Sequence, residues 1–583
     1  MHLFLLIHLF KYKTMSLQTK SQELKDIVAT YNADWLLGDI SFLINSIGTG
    51  RALDQLGKLS SPLRQLYYVA GLNVSSDPAA GIDIQYTPDK WNQIVTLLNE
   101  IEAEYQKIFF PAQEEVTDEW KHARNVAMPS FLSYFNQGPL NYEEQVINWI
   151  VDLFTPLNDI ILAATGISVS DFVLFYENLD KLHQANFEAH SIKKELLRPN
   201  WKDYTKIKTG VIDDAPDFIK QMGEENAHLY AFMADHGMMF RFLLEEIVSE
   251  NLPIEKVNAI VNLLSINRTQ TDFLYYTATK PGNPLYEKPI LNIGDGMFQI
   301  FEVKQVIHAI QNLLEQASSS TEKNKKKYTD RKGNLLELRT IELFSNFFKS
   351  DFEFYHGYYV DDCEQDVLFL WKNYAFIIEA KGYALREPLR DPEKAFVRIQ
   401  KDFKDCIVYG YEQTRRVEKK FIDGVPLRLT DKNGNLIKEI DTTQYVEDFS
   451  IIVNLESFGQ IQCDLSTLIK LENEDDIYPW AVKLDDLEIF LVTMEALKKK
   501  PQDLIDFLVL RESMHGKLIS SDELEICGSF LTCKLRQKRI DYSTSIITTP
   551  DLGEIFDKQY NKGMGLKNEK MLEEKKSGNY RFW

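Results

Sequence analysis

Residues 364–382 read Glu364-Gln-Asp366-Val-Leu-Phe-Leu-Trp371-Lys372-Asn373-Tyr374-Ala-Phe-Ile-Ile-Glu379-Ala380-Lys381-Gly382. Two apolar runs, 367–371 and 374–378, have the length of strands and are rich in β-branched and aromatic residues. Lys372 and Asn373 between them predict a tight hairpin turn. A two-residue loop sets Trp371 against Tyr374, and counting outward sets Asp366 opposite Glu379. A symmetric four-residue loop gives the same pairing. Side chains alternate along a strand, so Glu379 and Lys381 share a face, and cross-strand pairing puts Asp366 on it as well. Two carboxylates and an amine thus converge at the end of an apolar hairpin. Facing like charges destabilise a sheet unless a cation lies between them. Asp366, Glu379 and Lys381 are therefore a candidate site for a hard divalent metal. The bland alternative is a solvent-facing hairpin end with a surface ion pair, and such pairs contribute little. The apolar runs between the acids, and the place of both acids at strand ends, favour the site.

Upstream, residues 333–348 predict a helix on which Glu337, Ile341, Phe344 and Phe348 follow the i, i+4, i+7, i+11 spacing of one stripe. A carboxylate in line with three large hydrophobes points towards a sheet, where it is costly unless paired or metal-bound. Glu342 falls on a more polar stripe. Downstream, residues 391–406 predict a second helix, with Phe396, Ile399, Phe403 and either Cys406 or Ile407 on its core side and Gln400 near its middle.

Asp366 followed by Glu379-Ala380-Lys381 resembles the signature of the PD-(D/E)xK nuclease superfamily, the restriction-endonuclease-like fold. The resemblance covers about residues 333–460, and where the signature often has Pro before the Asp this chain has Gln365. It implies a mixed-sheet α/β nuclease core. It also implies an acid on the first core helix, which Glu337 matches, and an accessory Gln on the next helix, for which Gln400 is the candidate. The chemistry implied is phosphodiester hydrolysis with Mg²⁺ (or Mn²⁺). Asp366, Glu379 and the Ala380 carbonyl would ligate the ion, Glu337 would complete its shell or hold a second ion, and Lys381 would stabilise the charge of the transition state. Defence against foreign nucleic acid is a common use of such architectures. The competing expectation is a non-catalytic scaffold that retains the fold; the complete acid-acid-Lys set argues against that.

The 583 residues are enough for about two to four domains, and 44% hydrophobic and 12% aromatic content supports sizeable cores. Cysteines 363, 406, 463, 527 and 533 form no CxxC pair and are odd in number. That indicates neither a zinc site nor a disulfide framework and suits a reducing, cytoplasmic setting. The net charge of −21 argues against avid nonspecific nucleic-acid binding, because phosphate contacts need Lys and Arg. Basic runs at 323–332, 415–420 and 534–539 soften this, though charge runs are more often solvated faces. The apolar start, residues 1–10, is too short to span a membrane and lacks a basic n-region and cleavage site, and no other stretch is expected to span one.

The expected organisation has five parts: a disordered leader over 1–19, a mostly helical recognition or partner domain over 20–315, a polar linker over 316–332, the nuclease-like core over 333–470, and a mixed α/β extension over 471–583. Helices are expected at 93–108, 142–162, 171–187, 223–250 and 254–264, and a hairpin at 289–301 precedes a helix at 303–315. In the core, Asn433-Gly434 predicts a second hairpin, and 449–455 a buried strand. His228 and His236, with Glu224 and Glu225 near by, lack the i, i+4 spacing of a helical metal pair, so packing is the expected role. Ser46–Gly50 lacks the Lys-Ser/Thr of a phosphate loop and predicts a turn. Expected partners are nucleic acid, DNA ahead of RNA, a protein partner or trigger for the helical region, and a second copy of the chain. No membrane is expected.

Overall fold

In the computed structural model the described residues are 17–47, 53–84, 87–109, 117–136, 141–197, 235–276, 281–382, 392–473, 476–533, 540 and 544–569. The chain forms two compact units, Met1–Lys107 with Phe154–Thr321, and Ile108–Leu153 with Glu322–Trp583. Both contain helices and sheet, so the protein is a multidomain α and α/β chain.

The first unit is mainly helical, as its apolar spacing predicts. Helices Pro88–Gln106, Val169–Leu197, Ile254–Leu264 and Val303–Ser318 fall on or extend expected ones. A four-stranded sheet was not expected beyond its hairpin. It consists of β1 (Arg241–Leu243), β2 (Ser265–Ile266), β3 (Ile290–Gly294) and β4 (Met297–Ile300), in the order β1-β4-β3-β2. In the described part of the helix expected over 223–250, only the single turn Leu244–Ile247 is α-helical. Asp235 instead caps the short turn His236–Met239 through Gly237 N–H and pairs with Arg241, and β1 comes next. The helix expected over 142–162 breaks at Thr155–Leu157, where Pro156 has no N–H to give. By length and composition alone, Glu143–Thr165 is apolar enough to cross a membrane, contrary to expectation, although 44% of its apolar window is buried.

Three expected boundaries move. Residues 1–16 of the expected leader lie outside the described residues, and residues 17–29 are helical. Residues 108–153 group with the second unit rather than with the helical domain. The expected linker is mostly helix: Val303–Ser318 ends inside it, and α2, Glu322–Phe348, begins there. Its Glu and Lys residues are good helix formers, and Tyr328 is buried, so the polar run is the wet side of a packed helix.

In the second unit α1 (Asp118–Asn136) and α2 precede β5 (Phe352–Val360), β6 (Cys363–Trp371) and β7 (Tyr374–Lys381). Next come α3 (Pro392–Phe403), a π-turn (Lys404–Val408) and α4 (Tyr409–Ile422). The expected hairpin is β8 (Leu427–Thr430) and β9 (Leu436–Ile440), and the expected buried strand is β10 (Glu447–Asn454). The extension supplies β11 (Trp480–Lys483) and α5 (Leu484–Ala496), so it is part of this sheet and not an appendage. The order is β11-β10-β7-β6-β5-β8-β9. β5, β6 and β7 are antiparallel neighbours, while β10 runs parallel to β7 and β11, which makes the sheet mixed.

Alternation along the strands builds two cores. Val367, Phe369, Trp371, Phe376 and Ile378 pack with Ile341, Phe344 and Phe348 of α2. Leu368, Leu370, Ala375 and Ile377 pack on the other face with Val417 of α4. Each fully buried Phe contributes about 1.5–3 kcal/mol of transfer free energy, so these two layers fix the hairpin's register. Gly410 of α4 sits against β10, where an added Cβ would lie 3.3 Å from Ile452.

Candidate active site

The hairpin turns at Lys372, whose φ is +53°, and the Trp371 and Tyr374 rings stack at 5.9 Å. Its ladder runs from Trp371↔Tyr374 to Val367↔Ile378. One step further, where Asp366 was expected directly opposite Glu379, side chains replace the backbone pairing. The Asp366 N–H donates to Glu379 Oε1 at 3.2 Å, and the Ala380 N–H donates to Asp366 Oδ2 at 2.7 Å. Two features hold the strands in this arrangement. β7 continues its ladder with β10 as far as Lys381↔Asn454. In β5, Gly357 at φ +60° interrupts the ladder between His356↔Val367 and Tyr358↔Gln365, next to Asp366.

Lys381 closes the cluster. Its Nζ donates to Glu379 Oε2 at 2.6 Å and to Asp366 Oδ2 at 3.2 Å. The Glu379 side chain is 1% exposed, against 13% for Lys381 and 17% for Asp366. Burial, then the charge of Asp366, push the Glu379 carboxyl up to about 8, and Lys381 only partly opposes them. Burial also works against the Lys381 ammonium, but Glu379 and Asp366 outweigh it and hold its pKa above the ordinary value. Two acids thus share one ammonium, and the site favours a further positive charge.

Glu337 extends the stripe of Ile341, Phe344 and Phe348 past the apolar core. Its carboxylate meets Nε2 of His356 on β5. Burial, then the charge of Asp366, raise its pKa, with His356 opposing, so Glu337 lies within electrostatic reach of the trio. Gln400 is exposed on α3 and is not drawn into the hydrogen-bonded cluster among the described residues. The buried helix glutamine near the site is Gln413 of α4, 3.5 Å from the Glu364 carbonyl. Tyr358 is fully buried within reach of the charges of Glu379 and Asp366, and its hydroxyl has no hydrogen-bond partner among the described residues. Gln365 Oε1 and Gln413 Oε1 are also buried and unpartnered among the described residues. Buried polar atoms are nearly always paired, so three such atoms around Glu364–Asp366 mark this end of β6 as polar and unfinished. Neither His356, Tyr358 nor Gln413 belongs to a motif, so local sequence gives no signal for them.

The hard oxygens of Asp366 and Glu379, with their excess negative charge, suit a divalent cation. The third acid is drawn to His356, and among the described residues no group of three or more His, Cys, Asp or Glu side chains is arranged to hold a metal ion. In the first unit His236 packs as expected, stacked on Phe42 with Nδ1 2.7 Å from Asp39. His228, Glu224 and Glu225 lie outside the described residues, as do 48–50 of the glycine-rich turn. Of the basic runs, 415–420 is not a simple solvated face, since buried Arg415 pairs with Asp476 and Glu418. Residues 534–539 lie outside the described residues. No protein-family model, curated protein or solved structure matches this chain.

Proposed function

We propose that the protein is a metal-dependent nuclease with a restriction-endonuclease-like core, hydrolysing phosphodiester bonds with DNA as the favoured substrate. The observation that carries this reading is the convergence of Asp366, Glu379 and Lys381 in one hydrogen-bonded cluster at the end of β7. A structural ion pair needs one acid per base; here two carboxylates, each accepting from one backbone amide, share one ammonium.

In this reading Asp366 and Glu379 hold Mg²⁺ or Mn²⁺, with the Ala380 carbonyl and Glu337 as further oxygen donors. A divalent ion held there would supply Lewis-acid polarisation of a phosphate oxygen and would lower the pKa of a bound water. Lys381, kept charged by its two acids, donates to the oxygen on which negative charge develops. His356 holds the Glu337 carboxylate beside the site. The deciding experiment is a cleavage assay on single- and double-stranded DNA and RNA with Mg²⁺ or EDTA, in wild type and Asp366→Ala. Cleavage that needs both Mg²⁺ and Asp366 supports the assignment; cleavage indifferent to Asp366 refutes it.

A further inference from the structure

Helix α3 leads directly to the site through the π-turn and Tyr409. One side of α3 is packed: Ala395, Ile399 and Phe403 are buried, Phe403 meets Phe458 edge-on, and Phe396 meets His122 of α1 edge-on. The other side carries Lys394, Arg398 and Lys401 at helical spacing, continued by Lys404 at the start of the π-turn. The three lysines are exposed and Arg398 is half-buried. Lys401 and Lys404 make no ion pair among the described residues. Three acids lie in this stretch: Asp402 is buried, Asp405 is exposed, and the side chain of Glu393 lies outside the described residues. The π-turn adds a residue to the helical turn and shifts the phase of α4 relative to α3. As a result Gly410 lies against Ile452 while Tyr409 faces outward, 54% exposed, with Lys381 Nζ 5.6 Å from its ring centroid.

From this geometry we infer that the outer face of α3 is a track for the phosphate backbone of a nucleic-acid strand, with Tyr409 as a stacking platform for a base beside Lys381. The inference rests on the nuclease reading and deepens it. The four cations span about 15 Å of helix, the axial length of about four nucleotides of one strand. In a chain of net charge −21, a stretch with four cations against three acids, one of them buried, is a local reversal of sign. An acidic protein would also be attracted to the cations. The exposed aromatic ring at the end of the stripe, next to the phosphate-directed Lys381, favours a ligand that alternates phosphates with flat bases.

The test is fluorescence anisotropy of a short labelled strand, its duplex and the matching RNA, with the full chain in EDTA, across a salt series. The triple variant Lys394→Gln, Lys401→Gln, Lys404→Gln changes only exposed side chains. It should bind about tenfold or more weakly, and its log K against log salt slope should fall by about 0.7–0.9 for each phosphate left without its lysine. Tyr409→Ala should weaken single-strand binding by about tenfold while Tyr409→Phe retains it. A triple variant that matches wild type in affinity and slope overturns the track. So does a wild type that binds polyglutamate but no nucleic acid. The two readings separate cleanly: Mg²⁺-dependent cleavage with unchanged variant binding sinks the track alone, whereas lysine-dependent binding without any cleavage sinks the nuclease alone.

Discussion

Nζ of Lys381 lies 2.6 Å from Oε2 of Glu379, two residues away on the same face of β7, and reaches Asp366 as well. The ammonium stands where the charges of the two acids meet, which is where a sheet with facing carboxylates needs a cation. Replacing Lys381 should therefore have two separable effects. Lys381→Ala should slow Mg²⁺-dependent cleavage by about 10²-fold or more, the usual cost of one electrostatic group. It should also lower the stability of the metal-free protein, with Mg²⁺ restoring part of the loss. A variant that cleaves as fast as wild type would assign the activity to another site.

Glu379 contributes to the pH dependence of the metal-free protein, alongside other carboxyls raised by burial such as Asp448 and Glu512. Its carboxyl is raised from 4.5 to about 8 in the fold, by burial first and by Asp366 second. Between those values the folded state holds a proton that the unfolded state has released. The stabilising contribution is therefore complete below the lower value and is lost as pH rises through the upper one. Urea melts across this window should show wild type weakening with pH more steeply than Glu379→Gln, the difference being the share of Glu379. Equal slopes in the two proteins would remove Glu379 from the contributing groups.

Glu337→Gln keeps the side chain's length beside His356 but removes a charge that Asp366 opposes. The metal-free variant should be as stable as wild type or more so, with slower cleavage and a smaller rise in melting temperature on adding Mg²⁺. Identical metal responses in thermal melts would leave Glu337 as a structural helix residue.

The phase of α2 can be checked through its core. Phe344→Ala should cost about 3–5 kcal/mol, because Phe344 is fully buried against Phe369 and Phe376. Leu338, 44% exposed, should change by less than about 0.5 kcal/mol when cut to Ala. Chemical denaturation of the two variants, read against each other, tests which face of the helix meets the sheet.

The hairpin, its turn and the shared side of Asp366, Glu379 and Lys381 were legible because alternation and turn length fix register without tertiary information. The stripe on α2 was legible for the same reason at helical period. The exchange of backbone for carboxylate hydrogen bonds at Asp366 was not, because it depends on Gly357 in β5 and on β10 holding β7 from its other side. Local composition misled at 316–332, where polar residues signalled a linker although buried Tyr328 marks a packed helix. It misled again at 415–420, where a run of like charge hid Arg415 in an ion-paired interior. The cations of α3 are spaced by helical turns and not adjacent in sequence, so a search for basic runs passes over them. Gln400 lies on α3 as expected and is exposed there, whereas the burial of Gln413 beside Glu364 depends on the packing of α4 on the sheet and could not be read locally.

The most direct test of the central claim is cleavage of labelled DNA by purified wild type and Asp366→Ala, each with Mg²⁺ and with EDTA. Asp366 is the one residue that accepts from both the Ala380 amide and Lys381 while its own amide donates to Glu379. Mg²⁺-dependent product from wild type, and none from Asp366→Ala or in EDTA, is the expected result. Equal cleavage by the two folded proteins, or no cleavage of DNA or RNA by wild type with Mg²⁺ or Mn²⁺, would contradict it.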